Sequence, residues 1–197
     1  VQIHTTLSLS ACYIQRILNM QAVFTVFADG AVDVSLAVTR DPIFPMLPRF
    51  GIRLFLPKEL NQIDYFGIGP FESYIDKRRA GYHGCFSSDV RAMHEDYLRP
   101  QENGSHYDCD YVTIGNTDVS LTAASAVPFS FNASVYTEEE LTKKAHNYEL
   151  EESGHTVLCI DYRQNGIGSN SCGPELLEKY RLDETEFAFA FRLVPQC

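Results

Sequence analysis

Gln21-Ala22-Val23-Phe24-Thr25-Val26-Phe27-Ala28-Asp29-Gly30-Ala31-Val32-Asp33-Val34-Ser35-Leu36-Ala37-Val38 holds two alternating runs about one Asp-Gly dipeptide. Period-two alternation puts Val32, Val34, Leu36 and Val38 on one face of a strand. Asp-Gly suits the positive-φ positions of a tight hairpin turn. The pattern predicts strands over 21–28 and 31–38 joined at Asp29-Gly30. Outward from this hairpin, residues 1–9 are strand-like. Pro42, Pro45 and Pro48 confine 41–48 to a loop. Further strands are expected over 50–56, 62–66, 111–114, 119–122, 129–136, 155–162 and 186–194, where Phe187, Phe189 and Phe191 alternate with Ala188, Ala190 and Arg192. One helix is expected near 137–145. Thr137 is its N-cap and Glu140 the far side of a capping box, with acidic residues at its start and Lys143 and Lys144 at its end. Many antiparallel strands and one short helix make an all-β sandwich or barrel.

The composition bounds the function. The chain has 197 residues, 45% of them hydrophobic, and a net charge of −10. That is enough for a real core. The acidic balance argues against a nucleic-acid partner, because such binders present basic patches. No apolar run approaches the roughly 20 residues of a membrane-spanning helix. The six cysteines include no CxxC pair, so a zinc site of the usual spacing is disfavoured. Their even count would allow three disulfides, but a chain of this length does not need them. Reduced thiols in a cytoplasmic setting are expected, with Cys159 a small buried hydrophobe. The chain starts at Val1 without an initiator Met and without a signal-like stretch, as a piece of a longer protein would. Tryptophan is absent, although Phe and Tyr are plentiful.

Residues 67–99 are rich in glycine, charge and turn residues, and should wrap the surface or contribute to a site. Three segments read as constrained loops. The first, Tyr65-Phe66-Gly67-Ile68-Gly69-Pro70-Phe71-Glu72-Ser73-Tyr74-Ile75-Asp76-Lys77-Arg78, lacks the ending of a phosphate loop. Its Glu72, Asp76 and Arg78 read as a local ion-pair network, with an acid/base pair as the alternative. The second is Arg99-Pro100-Gln101-Glu102-Asn103-Gly104. Glu102 with Asp108 or Asp110 would be a glycosidase-style carboxylate pair only at a separation of about 5–10 Å. The third is Asn165-Gly166-Ile167-Gly168-Ser169-Asn170-Ser171-Cys172-Gly173-Pro174. No partner histidine marks Cys172 as a nucleophile, and His83, His94, His106, His146 and His155 read as surface or structural. The sequons at Asn103 and Asn132 would matter only in a secreted glycoprotein.

In this order, the loops resemble the C-terminal domain of the large β-galactosidases of glycoside hydrolase family 2, the small-chain domain where the enzyme is split. Leu47-Pro48-Arg49-Phe50-Gly51 followed by Tyr65 to Arg78 is similar to the family's Leu-Pro-Arg-x-Gly and Gly-x-Gly-Pro-x-Glu-x-Tyr-x-Asp-Arg, with Lys77-Arg78 ambiguous by one place. Pro100-Gln101-Glu102-Asn103-Gly104, the stretch 129–141 and Ile160-Asp161 before Gly166-Ile167-Gly168 agree as well. The likeness runs from near residue 1 to 193.

The resemblance implies a β-supersandwich of the galactose mutarotase kind in a single domain, 1–197, that begins partway in and ends near the parent's C-terminus. It implies a retaining parent enzyme acting on terminal β-galactosides such as lactose. The parent's catalytic glutamates would lie in a separate barrel domain, so no catalytic residue is expected here. No cofactor and no metal site is expected either, any magnesium or sodium ion of the parent being held mainly by other domains. The implied partners are the catalytic barrel and the β-galactoside, in a homo-oligomeric parent. The implied structural loop positions are Gly67, Gly69, Pro70, Glu72, Tyr74, Asp76, Arg78, Glu102, Asn103 and Gly104. The implied substrate-mouth loop is Gly168, Ser169, Asn170, Ser171, Cys172 and Gly173. Here Cys172 stands where relatives place a tryptophan that stacks on the non-galactose part of the substrate. A thiol offers no ring, so an aromatic contribution of roughly 1 kcal/mol should be missing. Two other functions are alternatives: a free-standing sugar-binding or mutarotase-like module, which would need its own His and Glu facing a concave sheet that the scattered histidines do not supply, and a purely structural subunit-contact domain.

Overall fold

A computed structural model describes residues 1–168 and 174–197. Its strands are β1 (Gln2–Leu9), β2 (Leu18–Val26), β3 (Val32–Arg40), β4 (Arg49–Pro57), β5 (Gln62–Gly69), β6 (Tyr82–Asp89), β7 (Ser105–Gly115), β8 (Ser120–Ser134), β9 (His155–Gln164) and β10 (Glu186–Gln196), with helix α1 (Glu138–Lys143) between β8 and β9. Every strand pairing is antiparallel. The strands run β1-β2-β3-β10-β8-β7-β5-β6, and a β9–β4 pair branches from β8. Among the described residues no helix is long and apolar enough to cross a membrane.

The opening hairpin forms as its alternation predicts. Gly30 takes φ +85° in the turn, where a side chain would be strained. Val34, Leu36 and Val38 are buried. The branch at β8 makes the sandwich. Residues 120–124 pair with β10, whereas 130–134 pair with β9. The bend between them carries Pro128, which has no N–H to donate, and Ser125 Oγ donates to the Ala190 carbonyl at 2.8 Å. Two strands expected on either side of this bend are therefore one long strand that serves both layers. Phe187 of β10 meets Phe50 of β4 edge-on at 5.0 Å and stacks on Tyr162 of β9 at 4.8 Å. Phe129, Phe131, Tyr65, Ile160 and Leu182 fill the centre.

Residues 67–99, expected to wrap the surface or contribute to a site, hold an edge strand, β6, and a 3-10 turn over Val90–Met93. The helix expectation is corrected. The α1 capping box is half made. Thr137 Oγ1 accepts the Glu140 N–H at 3.1 Å, but the Glu140 carboxylate turns to the Glu151 N–H instead. Lys144 is the C-cap, so the helix is only six residues long. Arg40 is buried and donates to the carbonyls of Phe44, Pro45, Asp183 and Glu184. Those bonds pin the proline loop 41–48, whose backbone has no sheet partner of its own.

Candidate functional site

β5 delivers Gly67 and Gly69 into the first loop, which is closed by reciprocal backbone bonds between Tyr74 and Lys77. Glu72 is buried there and accepts from Lys77 Nζ, Tyr97 Oη and the Gly104 N–H. Burial pushes its carboxyl pKa up, but these donors outweigh burial and hold it below the ordinary value. Ser73 Oγ donates to the Ile68 carbonyl and accepts the Tyr107 N–H, tying the loop to β7. The second loop meets the first through Gly104. Its φ is +70°, and a β-carbon there would lie 2.5 Å from the Met93 carbonyl. Only glycine fits this close approach.

The third loop is fastened to the first by Asp76. Its two oxygens accept the N–H groups of Ile167 and Gly168 at 3.1 and 3.0 Å. Gly166 passes so close to this carboxylate and to Leu176 that a side chain would collide with both. Of the candidate mouth loop, Gly168 is described; Ser169, Asn170, Ser171, Cys172 and Gly173 lie outside the described residues.

Beside these loops, Arg49 at the start of β4 gathers three carboxylates. It donates to Asp161 through Nε (3.3 Å) and Nη2 (2.5 Å), and through Nη1 to Glu102 (3.0 Å) and Glu138 (3.4 Å). Cys159 Sγ donates to Glu138 at 3.0 Å, and Gln164 Nε2 to Asp161 at 3.0 Å. Burial opposes the Arg49 charge, but Asp161 and Glu102 more than restore it. Burial drives Glu102 the other way. Arg49 offsets part of that, while Asp161 and Glu138 add repulsion, and its pKa rises to about 7. Its Oε1 atom is buried without a hydrogen-bond partner. Asp161 is likewise pushed up by burial against the pull of Arg49. Among the described residues no group of three or more His, Cys, Asp or Glu is arranged to hold a metal ion. The positive charge between these carboxylates is that of Arg49, with Arg53 Nη1 on Glu138 at 2.6 Å.

The structure thus brings Glu72, Asp76, Asn103, Gly104 and Gly168 into one connected loop system, but not as an ion-pair network of Glu72, Asp76 and Arg78. Lys77 pairs with Glu72, Asp76 binds backbone, and Arg78 lies over the Tyr107 ring at 5.4 Å. Glu102 joins Glu138 and Asp161 rather than Asp108 or Asp110. Asp108 sits at φ +60° beside a bulge of β7. The sequon residues Asn103 and Asn132 are buried and bonded to each other, Asn132 Nδ2 donating to the Asn103 carbonyl at 2.5 Å. Tyr74 is buried, as are Gly67 and Gly69, while Pro70 starts the turn after β5. His106 is buried against Tyr65 and Phe131, and burial lowers its pKa to about 4. It is a neutral core residue at pH 7. Arg49, which holds the second loop through Glu102, is visible in sequence only as the arginine after Pro48.

The family model described as "Beta galactosidase small chain" matches residues 1–193. The β-galactosidase of Actinobacillus pleuropneumoniae is 49% identical over 179 residues, 91% of this chain and 17% of that protein. That of Staphylococcus xylosus is 44% identical over 165 residues, 84% of this chain and 17% of its own length. That of Kluyveromyces lactis is 31% identical over 172 residues, again 17% of its length. The chain therefore spans about a sixth of these relatives. With the whole of its loop system inside the matched region, the chain belongs to the β-galactosidase small-chain family.

Proposed function

We propose that the chain is the non-catalytic C-terminal domain of a retaining β-galactosidase of glycoside hydrolase family 2. The parent cleaves terminal β-galactosides such as lactose by a two-carboxylate double displacement. The carboxylates belong to the barrel domain, against which this domain packs. The stretch Gly168, Ser169, Asn170, Ser171, Cys172 and Gly173 borders the acceptor side of the substrate mouth. The observation that carries this reading is the Asp76 anchor: its carboxylate grips the backbone at Ile167 and Gly168, where that stretch begins. An entry so held positions the loop without any catalytic group of its own. The free thiols of Cys12, Cys85, Cys109, Cys159 and Cys197 support a reducing, cytoplasmic setting.

The test is kinetic, in the complete enzyme. Cys172→Trp should lower KM for galactosides with a bulky aglycone by roughly fivefold, the equivalent of about 1 kcal/mol of aromatic contact. It should leave kcat on a small activated galactoside unchanged. No aglycone-dependent change in KM would remove the mouth role. A sugar titration on the isolated chain separates this reading from a free-standing lectin-like module, which would bind on its own.

A further inference from the structure

Asp76 holds the third loop where it leaves the domain, and the returning leg is held as well. Leu182 on that leg is fully buried. Its N–H donates to Asn165 Oδ1 at 2.5 Å, and its carbonyl accepts the Leu47 N–H at 2.9 Å. The next two carbonyls, of Asp183 and Glu184, are bonded by Arg40. Arg181 stands at the start of this anchored piece and reaches back five residues. Its Nε and Nη2 both donate to the Leu176 carbonyl, at 3.0 and 2.8 Å. The carboxylate in reach, that of Glu175, is 3.5 Å from Nη2 and 80% exposed. A guanidinium fork ordinarily matches a carboxylate. Here two of its donors converge on one peptide oxygen instead, so the side chain fixes the backbone at residue 176.

The two anchors meet at Gly166. Its N–H donates to the Tyr180 carbonyl at 3.1 Å. A β-carbon there would lie 2.5 Å from the Asp76 carboxylate and 2.7 Å from Leu176 Cδ1. Leu176 is itself buried. The outgoing and returning legs therefore touch at their base, one gripped by a carboxylate and the other by a guanidinium. Fixing both ends of a short segment lowers its conformational entropy before any ligand arrives, and the ordering cost of binding is then smaller. We propose that Arg181 is a positioning residue for the aglycone side of the parent enzyme's site. By holding Leu176 against Gly166, it sets the return of the 168–173 stretch as Asp76 sets its departure. The proposal rests on the reading under Proposed function, because it takes that stretch to border the substrate.

The experiment is kinetic, in the complete enzyme, with two substrates of unequal aglycone: lactose and β-galactosyl fluoride. Arg181→Gln should raise KM for lactose roughly tenfold, but for the fluoride by no more than about twofold. Arg181→Lys keeps one donor and should recover part of the lactose KM. Glu175→Gln removes the carboxylate and leaves the grip on the Leu176 carbonyl, so its lactose KM should match the unsubstituted enzyme. Leu182 keeps its bonds to Asn165 and Leu47 in all three variants, so each should fold. Should Arg181→Gln not fold, the ratio of the two KM values in Arg181→Lys decides in its place. Equal changes on both substrates mean a merely structural arginine and overturn the proposal. A Glu175→Gln effect as large as that of Arg181→Gln also overturns it, because the ion pair would then be the holding contact. Cys172→Trp separates the proposal from the reading beneath it. If Cys172→Trp shifts the lactose KM and the Arg181 variants do not, the proposal falls alone. If none of them distinguishes lactose from the fluoride, that reading fails and the proposal with it.

Discussion

Asp76 and Gly168, 92 residues apart in sequence, are joined by one hydrogen bond of 3.0 Å from the glycine N–H to the aspartate Oδ2. With its neighbour at Ile167, this is the fixed point from which the 168–173 stretch departs. Hydrogen bonds to a charged acceptor contribute about 1.5–3 kcal/mol when buried, and less at the exposed Gly168. Asp76→Ala in the complete enzyme should therefore raise KM for a β-galactoside roughly tenfold with little change in kcat. Asp76→Asn, which keeps one acceptor oxygen, should fall between. An unchanged KM for Asp76→Ala would separate the anchor from the substrate.

Glu102 makes a pH prediction. Its folded pKa of about 7 lies above the ordinary 4.5. Between those values the folded state holds a proton that the unfolded state has released. Stability on account of this group therefore falls as pH rises from about 4.5 to 7. Glu102→Gln stays neutral throughout. Its melting temperature should match the parent chain near pH 5 and exceed it near pH 8. A difference that does not grow with pH would show that Glu102 titrates normally.

Gly104 leaves no room for a side chain. Its positive φ and the Met93 carbonyl 2.5 Å from a hypothetical β-carbon act together. Gly104→Ala should cost about 2 kcal/mol or more, a fall in melting temperature of roughly 4–8 °C at this chain length. It should also loosen the Gly104 N–H from Glu72, so Glu72→Gln should cost less in this background than in the parent chain. Strictly additive losses would mean that the two loops are held independently.

Among the described residues the thiols divide sharply. Burial pushes Cys159 up, with the opposing pull of Arg49 too weak to lower it, and burial pushes Cys109 up beside Asp108 and Asp110. Both are buried, whereas Cys12, Cys85 and Cys197 are exposed. Brief native alkylation followed by peptide mass spectrometry should find the exposed three modified and Cys109 and Cys159 intact. Modification of Cys159 at the rate of Cys85 would show that the Arg49 cluster is open to solvent.

Most strands were legible because burial on one face writes a period of two into the sequence. β6 escaped because the face it turns to the sheet core, Tyr82, Gly84, Phe86 and Ser88, carries a single core-packed apolar side chain, Phe86, between a glycine and a serine. β8 was split in two because Pro128 and the polar bend around it mark a chain break locally, and only the partners of each half show it to be one strand. Within the site, the three loops were legible as constrained, but their joints were not. Asp76 grips backbone N–H groups, which every residue but proline carries, so no residue type records the contact. Arg49, Glu102 and Asp161 come from three separate elements, and their convergence exists only once β9 has paired with β4.

The place of β10 sets the order in which this chain can be made. It lies between β3 and β8, yet its residues, 186–196, are synthesised after every other strand. Until they leave the ribosome, β1, β2 and β3 form a separate meander with β3 open at one edge. At about 5–20 residues per second the nascent chain waits some ten seconds or more in that state. Closure thus waits for the last of these strands, and the long-range pairing it requires is slow. A ribosome-stalled chain lacking β10 should be cut readily by protease within β3, and the released chain should not.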